Sequence, residues 1–250
     1  MKRLVFQVMV GEPRLLWQRC VASVAVYCQR FGFDHIVQRE PVLKIVPRDS
    51  QRSPTALKDG ILPIFEKFQS FALLHEFDEI LVLDADVWIR PTAPNIFHAV
   101  APVWDFGACV ERQMPISPLY ARKLDRYALG QYGDKNAPFA NMGVRIIRRS
   151  LLPHLKGQTP TEFIHRPEFA KYVNGEGAYR WQTEQTFLND WLRECGANVF
   201  ALDWKWNGLF GMLQPGRIDE AHFVHFLLSD HLNGDDPETL LRTAGARPRI

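Results

Sequence analysis

Hydrophobic positions in this chain come in short runs separated by turn-forming residues, and their spacing changes from run to run. Leu4–Val10 alternates and turns apolar before Gly11-Glu12-Pro13 interrupts it, whereas Leu15-Leu16 through Tyr27 repeats apolar residues at helical spacing up to Gly32. That succession predicts a βα unit. His35-Ile36-Val37 reads as a second short strand, and Glu40 to Pro63, with four prolines and mixed charge, as a loop near a site. Ile61–Phe77 predicts a helix with Ile64, Phe65, Phe68, Phe71, Ala72 and His75 along one side. It feeds into Asp78–Leu83, where four consecutive large aliphatic residues predict a buried parallel strand. Beyond it the pattern predicts helices at Pro94–Val100, Pro118–Leu129 and Thr183–Cys195. Strands are predicted at Asp105–Val110, Phe139–Ile147 and Asn198–Leu202, with a further apolar stretch at Phe223–Leu228. Strands alternating with helices make this an α/β chain of doubly wound, Rossmann-like type.

Composition narrows the picture. With 250 residues, 46% of them hydrophobic, the chain can bury a large core, and no linker or charge block divides it, so residues 1–250 are expected to form one domain. Lys and Arg exceed Asp and Glu by only two charges, and no basic tract is present to follow a phosphate backbone, so nucleic acid is not an expected partner. Met1-Lys2-Arg3 leads directly into a segment too short for a signal peptide, and no stretch is long enough to span a membrane. Cys20, Cys28, Cys109 and Cys195 lie in apolar surroundings without a Cys-x-x-Cys pair, as in a reducing compartment. The expectation is a cytoplasmic protein, peripheral at a membrane only through a partner. A homo-oligomer is compatible with the sequence.

Candidate chemistry begins at Asp84-Ala85-Asp86, directly after the aliphatic run. An isolated acidic pair commonly sits in a solvated turn. Here four buried aliphatics precede it and Val87-Trp88-Ile89 follows, which places both carboxylates at the carboxyl end of a strand, where α/β sheets hold their ligands. Aspartates at i and i+2 share one face of an extended segment and can converge on a hard divalent cation able to neutralise a diphosphate. Asn141-Met142-Gly143-Val144 adds a strand glycine, which permits close approach by a ligand, beside an amide that can both donate and accept. Glu184 and Gln185 stand in the first turn of a predicted helix, where Glu184 also suits the dipole. His225 follows an apolar run, a setting usual for a structural histidine.

Taken in order, these islands resemble the metal-dependent GT-A glycosyltransferases, single-domain nucleotide-sugar transferases, and are most similar to the retaining glycogenin-like family over Leu4 to Leu228. The resemblance implies a mixed, mainly parallel central sheet. Residues 1–150 would form the nucleotide-sugar half, and residues 151–250 the acceptor side with the metal-binding histidine strand. It implies that Asp84, Asp86 and His225 hold manganese or magnesium, and that Lys67, Asp84, Ala85, Asn141 and Gly143 line the donor. Glu184 and Gln185 match the family's catalytic acidic-Gln pair, with Glu in place of Asp, and Trp204-Lys205-Trp206-Asn207 matches its aromatic-Asn segment. After the histidine the family has Gly and Lys where this chain has Leu228 and His231, and His231 is the stand-in for the lysine on the diphosphate. Tyr27-Cys28-Gln29-Arg30-Phe31-Gly32-Phe33-Asp34 is similar instead to a stretch of the fungal and plant galactosyl/mannosyltransferases.

The function so implied is transfer of a sugar, with retention, from a nucleotide diphosphate such as a UDP-sugar to a hydroxyl of a glycan, lipid-linked or protein acceptor. Glu40–Pro63 and Gly157–Arg180 are expected to be irregular and to border the donor cleft. Alternatives are an inactive carbohydrate- or nucleotide-sugar-binding protein on the same fold and a sugar nucleotidyltransferase. The latter should carry a Gly-rich phosphate loop, which Gly11-Glu12-Pro13-Arg14 does not provide. A haloacid-dehalogenase-like phosphatase is disfavoured by Trp88 and by the position of the motif on the third strand.

Overall fold

The computed structural model describes residues 1–12, 14–46, 60–101, 103–175, 183–227 and 236–243. Strands β1 (Arg3–Val8), β2 (Asp34–Gln38), β3 (Glu79–Asp84), β5 (Phe106–Val110), β6 (Ala140–Arg148) and β7 (Val199–Leu202) form one sheet in the order β2-β1-β3-β6-β5-β7. The pairs β1/β2, β1/β3 and β5/β7 are parallel, while β6 runs antiparallel to both its neighbours. Fully buried β6 has the apolar run of an interior strand, and an apolar run does not encode direction. Strands β4 (Val87–Ile89), β8 (Gly208–Leu209) and β9 (Phe223–His225) form a second small sheet in the order β4-β9-β8.

Helix α1 (Leu15–Phe31) buries Leu16, Cys20, Val24, Tyr27 and Cys28, the spacing that predicted it, and Gly32 ends it at φ 68° with its N–H on the Cys28 carbonyl. The Tyr27–Asp34 segment acts as a clamp. Tyr27 Oη donates to the Pro94 carbonyl and accepts from Ile96 N–H, both at 2.8 Å, and Arg30 donates to the Pro91 and Ala93 carbonyls.

The helix expected over residues 61–77 divides into a 3₁₀ segment (Pro63–Phe68) and α2 (Gln69–Leu73). Phe65, Phe68, Phe71 and Leu74 recur every third residue and all are buried, the spacing a 3₁₀ turn brings into line, while Ile64 is 41% exposed instead of facing the core. Where Pro94–Val100 read as a helix there is a single 3₁₀ turn, Ile96–His98, capped by the Asn95 side chain. Residues 157–175 are more regular than expected. Thr159 and Glu162 form a capping box on α4 (Pro160–Ile164), and α5 (Ala170–Asn174) follows. The remainder of that stretch and residues 47–59 lie outside the described residues, so the expectation for those two loops is only partly represented. Helices α3 (Pro118–Tyr132), α6 (Thr183–Cys195) and α7 (Pro237–Thr243) complete the order.

One face of the large sheet carries an aromatic core in which Phe65, Phe68, Phe71, Phe163, Phe187 and Trp191 meet. The opposite face packs Val5, Leu81, Leu83, Val144 and Ile146 with Val24 and Tyr27 of α1. No described helix is long and apolar enough to cross a membrane.

Candidate active site

Ile80 to Leu83 are all fully buried, which fixes β3 in the sheet and leaves Asp84 as its last residue. Ala85 and Asp86 form a turn, and β4 then joins the second sheet antiparallel to β9, with Val87 opposite His225 and Phe226 N–H donating to the Asp86 carbonyl at 3.0 Å. Residues 139 positions apart are thereby brought together (225 minus 86). His225 Nε2 lies 3.3 Å from Asp86 Oδ1 and 3.6 Å from Asp84 Oδ2, and one ligand atom from each residue falls within 4.8 Å of the others. Among the described residues the buried Nε2 makes no well-aligned hydrogen bond and has only these carboxylate oxygens beside it. Two carboxylate oxygens and an imidazole nitrogen, with a desolvated nitrogen facing the oxygens, fit a hard to borderline divalent ion such as manganese or magnesium.

A line of charge runs from Asp84 beneath the large sheet. Lys67 Nζ is 2.6 Å from Asp84 Oδ1 and 3.1 Å from Glu184 Oε2, and Arg145 Nη1 is 2.5 Å from Glu184 Oε1 and 3.0 Å from the Met142 carbonyl. Lys67, Glu184 and Arg145 are all buried, and among the described residues Arg145 Nε and Nη2 have no hydrogen-bond partner. Burial alone would depress Lys67, yet the carboxylates of Asp84 and Glu184 hold it above the ordinary lysine value. Burial pushes Asp84 upward, and the cations Lys67 and His225 outweigh it, so Asp84 stays below the usual carboxylate range. At His225 burial acts downward and Asp86 and Asp84 act upward more strongly, so the imidazole is raised.

On the other side of His225 the contacts are hydrogen bonds between amides. His225 Nδ1 meets Asn207 Oδ1 at 3.1 Å, Asn207 Nδ2 donates to Asn141 Oδ1 at 2.8 Å, and Asn141 Nδ2 donates to Glu111 Oε1 at 2.9 Å. Gly143 N–H also donates to Asn141 Oδ1, at 3.0 Å. Glu111 accepts further from Gln185 Nε2 at 3.0 Å and from Tyr120 Oη at 2.9 Å, and burial raises its pKa despite those three donors. Gln185 Oε1 accepts from Met142 N–H at 3.4 Å. A β-carbon on Gly143 would stand 2.2 Å from His225 Cε1 and 2.5 Å from Nδ1. The space that glycine opens is filled by the imidazole.

Of the residues proposed from the sequence, Asp84, Ala85, Asp86 and His225 meet at the carboxyl end of β3, and Lys67 and Glu184 extend from Asp84. Asn141, Gly143 and Gln185 lie on the amide side, with the polar side-chain atoms of Asn141 turned to Glu111, Asn207 and a backbone N–H. His231 lies outside the described residues. Three participants were not singled out from sequence as site residues: Glu111, Arg145 and, in its contact with the histidine, Asn207. An arginine between Val144 and Ile146 in an apolar strand was the available signal for Arg145, since such a residue requires a buried counter-charge. Glu111 in Glu111-Arg112-Gln113 had no such signal.

Neither a protein-family model nor a curated protein matches the sequence. Solved structures do. A glycosyltransferase involved in glycosylation of the major capsid of PBCV-1 superposes with a TM-score of 0.54 at 13% identity, covering 92% of this chain and 95% of that one. An active-site mutant of LgtC gives a TM-score of 0.54 at 12% identity, over 90% of this chain and 87% of that one. Apo GlyE of Streptococcus pneumoniae TIGR4, also a glycosyltransferase, gives 0.53 at 13% identity over 97% of this chain and 60% of that one. The likeness is one of fold: the chain has the GT-A glycosyltransferase fold, with its mixed, mainly parallel central sheet.

Proposed function

We propose that this chain is a metal-dependent glycosyltransferase that moves a sugar, with retention, from a nucleotide diphosphate donor of the UDP-sugar class to an acceptor hydroxyl on a glycan, lipid-linked or protein acceptor. The observation that carries this reading is the convergence of Asp84, Asp86 and the buried His225 Nε2 at the carboxyl end of β3, where sheets of this kind bind ligands. A manganese or magnesium ion held by those three side chains would supply the positive charge that steadies a departing diphosphate.

The residues around it supply position and charge. Lys67 sits beside Asp84 with an ammonium able to reach a phosphate oxygen, and the backbone turn at Ala85 borders the same place. In the transfer, the bond from the anomeric carbon to the diphosphate oxygen breaks, a bond to the acceptor oxygen forms, and the acceptor proton passes to the departing diphosphate. Both Glu184 oxygens face cations, a pairing that weakens the carboxylate as a nucleophile. Gln185, held by Glu111 and by Met142 N–H, then suits the polar position beneath the anomeric carbon, and same-face displacement needs no covalent intermediate.

The test is a screen of nucleotide sugars for manganese-dependent hydrolysis or transfer, followed by NMR of the first-formed product. A retained anomer supports the reading, and an inverted one rejects retention. A nucleotide sugar that raises the melting temperature in the presence of manganese but is never turned over would leave only the binding half of the proposal.

A further inference from the structure

The amide contacts between Glu111 and His225 have only one consistent direction. Glu111 receives three donors, from Tyr120 Oη, Asn141 Nδ2 and Gln185 Nε2, and a carboxylate so surrounded accepts and does not donate. Asn141 must therefore present its NH₂ to Glu111, which leaves its carbonyl oxygen for Gly143 N–H and for Asn207. Asn207 then donates its NH₂ to Asn141 and offers only its carbonyl oxygen to the imidazole. Facing an acceptor, Nδ1 of His225 is placed to donate. Asp86 and Asp84 offer acceptors to Nε2 as well, so the amide arm has to outcompete them for the neutral ring's single proton; where it does, the lone pair falls on Nε2.

We propose that Glu111 is a positioning residue for the metal centre: through Asn141 and Asn207 it fixes the tautomer of His225 that leaves Nε2 free to bind a metal. The inference rests on the metal-dependent reading above and deepens it. It assigns a function to a buried carboxylate that reaches no metal ligand directly. It also makes Glu111 a hinge between the two parts of the site, because the oxygen that orients Asn141 also accepts from Gln185. Gly143 completes the arrangement, admitting the imidazole against the β6 backbone while its N–H secures Asn141. Partners that orient a ligating histidine commonly contribute about 10–100-fold in metal affinity.

The test is the tautomer of His225, read from ring-nitrogen NMR shifts in metal-free protein at a pH where the imidazole is neutral, together with manganese affinity by calorimetry. Wild type should carry the proton on Nδ1, and a proton on Nε2 would overturn the proposal. Glu111→Leu should move the proton toward Nε2 and weaken manganese binding about 10–100-fold. Glu111→Gln should preserve both, because its carbonyl can take the Oε1 position while its amide donates to Tyr120 Oη. If Glu111→Leu does not fold, Asn207→Leu cuts the last link and carries the same expectation. An unchanged tautomer and an unchanged affinity in the folded leucine variant overturn the proposal. A tautomer that depends on Glu111 in a protein that binds no manganese would uphold the orienting role and reject the metal reading. Manganese binding insensitive to Glu111 would reject only the orienting role.

Discussion

Two arms meet at Asp84 and His225, and they are made of opposite chemistry. The arm through Lys67, Glu184 and Arg145 is a line of alternating charges, whereas the arm through Asn207, Asn141 and Glu111 is a line of directed hydrogen bonds that ends on one carboxylate. An ammonium can exchange a carboxylate for a phosphate oxygen and stay satisfied. Amides cannot reverse singly, because turning one places donor against donor at the next link. The charged arm is thus suited to accept a ligand, and the amide arm to hold one histidine in one state.

The largest effect should come from breaking the charged arm at its centre. Glu184→Gln leaves Arg145 buried without its counter-charge and removes one of the two carboxylates of Lys67, and it is expected to cost about 3–5 kcal/mol in urea unfolding. Lys67→Met should cost less, because Glu184 keeps Arg145 and Asp84 keeps His225. If the two substitutions cost the same, the charges do not act as an ordered line.

A substitution on the amide arm should strike stability less and metal affinity more. Gly143→Ala puts a β-carbon into the His225 ring, and displacement of that ring is expected to cost about 1–3 kcal/mol and to abolish manganese binding. Melting with and without manganese measures both. Retained metal stabilisation would show that the ring can shift and still ligate.

The smallest effect is a pH dependence confined to the charged centre in metal-free protein. His225 is raised in the folded state, so its contribution to stability is complete below its unfolded value of about 6.5 and is lost as pH rises through the folded value. Asp84 is depressed, so its contribution is present above about 3.9 and is lost as pH falls through its folded value. Melting temperatures of wild type should therefore decline relative to His225→Ala as pH increases from about 6.5. A relative rise over that range would contradict the assigned ion pairing.

The sequence made the convergence of Asp84, Asp86 and His225 legible because its signals are local: buried aliphatics ending in Asp84, a paired Asp86, and a histidine at the end of an apolar run. Helices α1 and α6 and strands β1, β3, β5 and β7 followed from periodicity in the same way. The direction of β6 did not, since a strand buried on both faces has the same apolar run whichever way it is traversed. Spacing alone also led to one helix over residues 61–77, although phenylalanines at every third position suit the 3₁₀ turn that is present. Glu111 was hidden for a different reason. Its partners Tyr120, Asn141 and Gln185 lie 9, 30 and 74 residues away, so its importance exists only once the sheet is assembled.

The central claim is that Asp84, Asp86 and His225 form a divalent-metal site for a nucleotide diphosphate, and calorimetric titration of UDP into the protein with and without manganese tests it most directly. Wild type should bind UDP only with manganese, and Asp86→Asn and His225→Ala should lose that binding while still unfolding cooperatively in the absence of metal. Equal UDP affinity with and without manganese, or full manganese-dependent binding in both variants, would contradict the account.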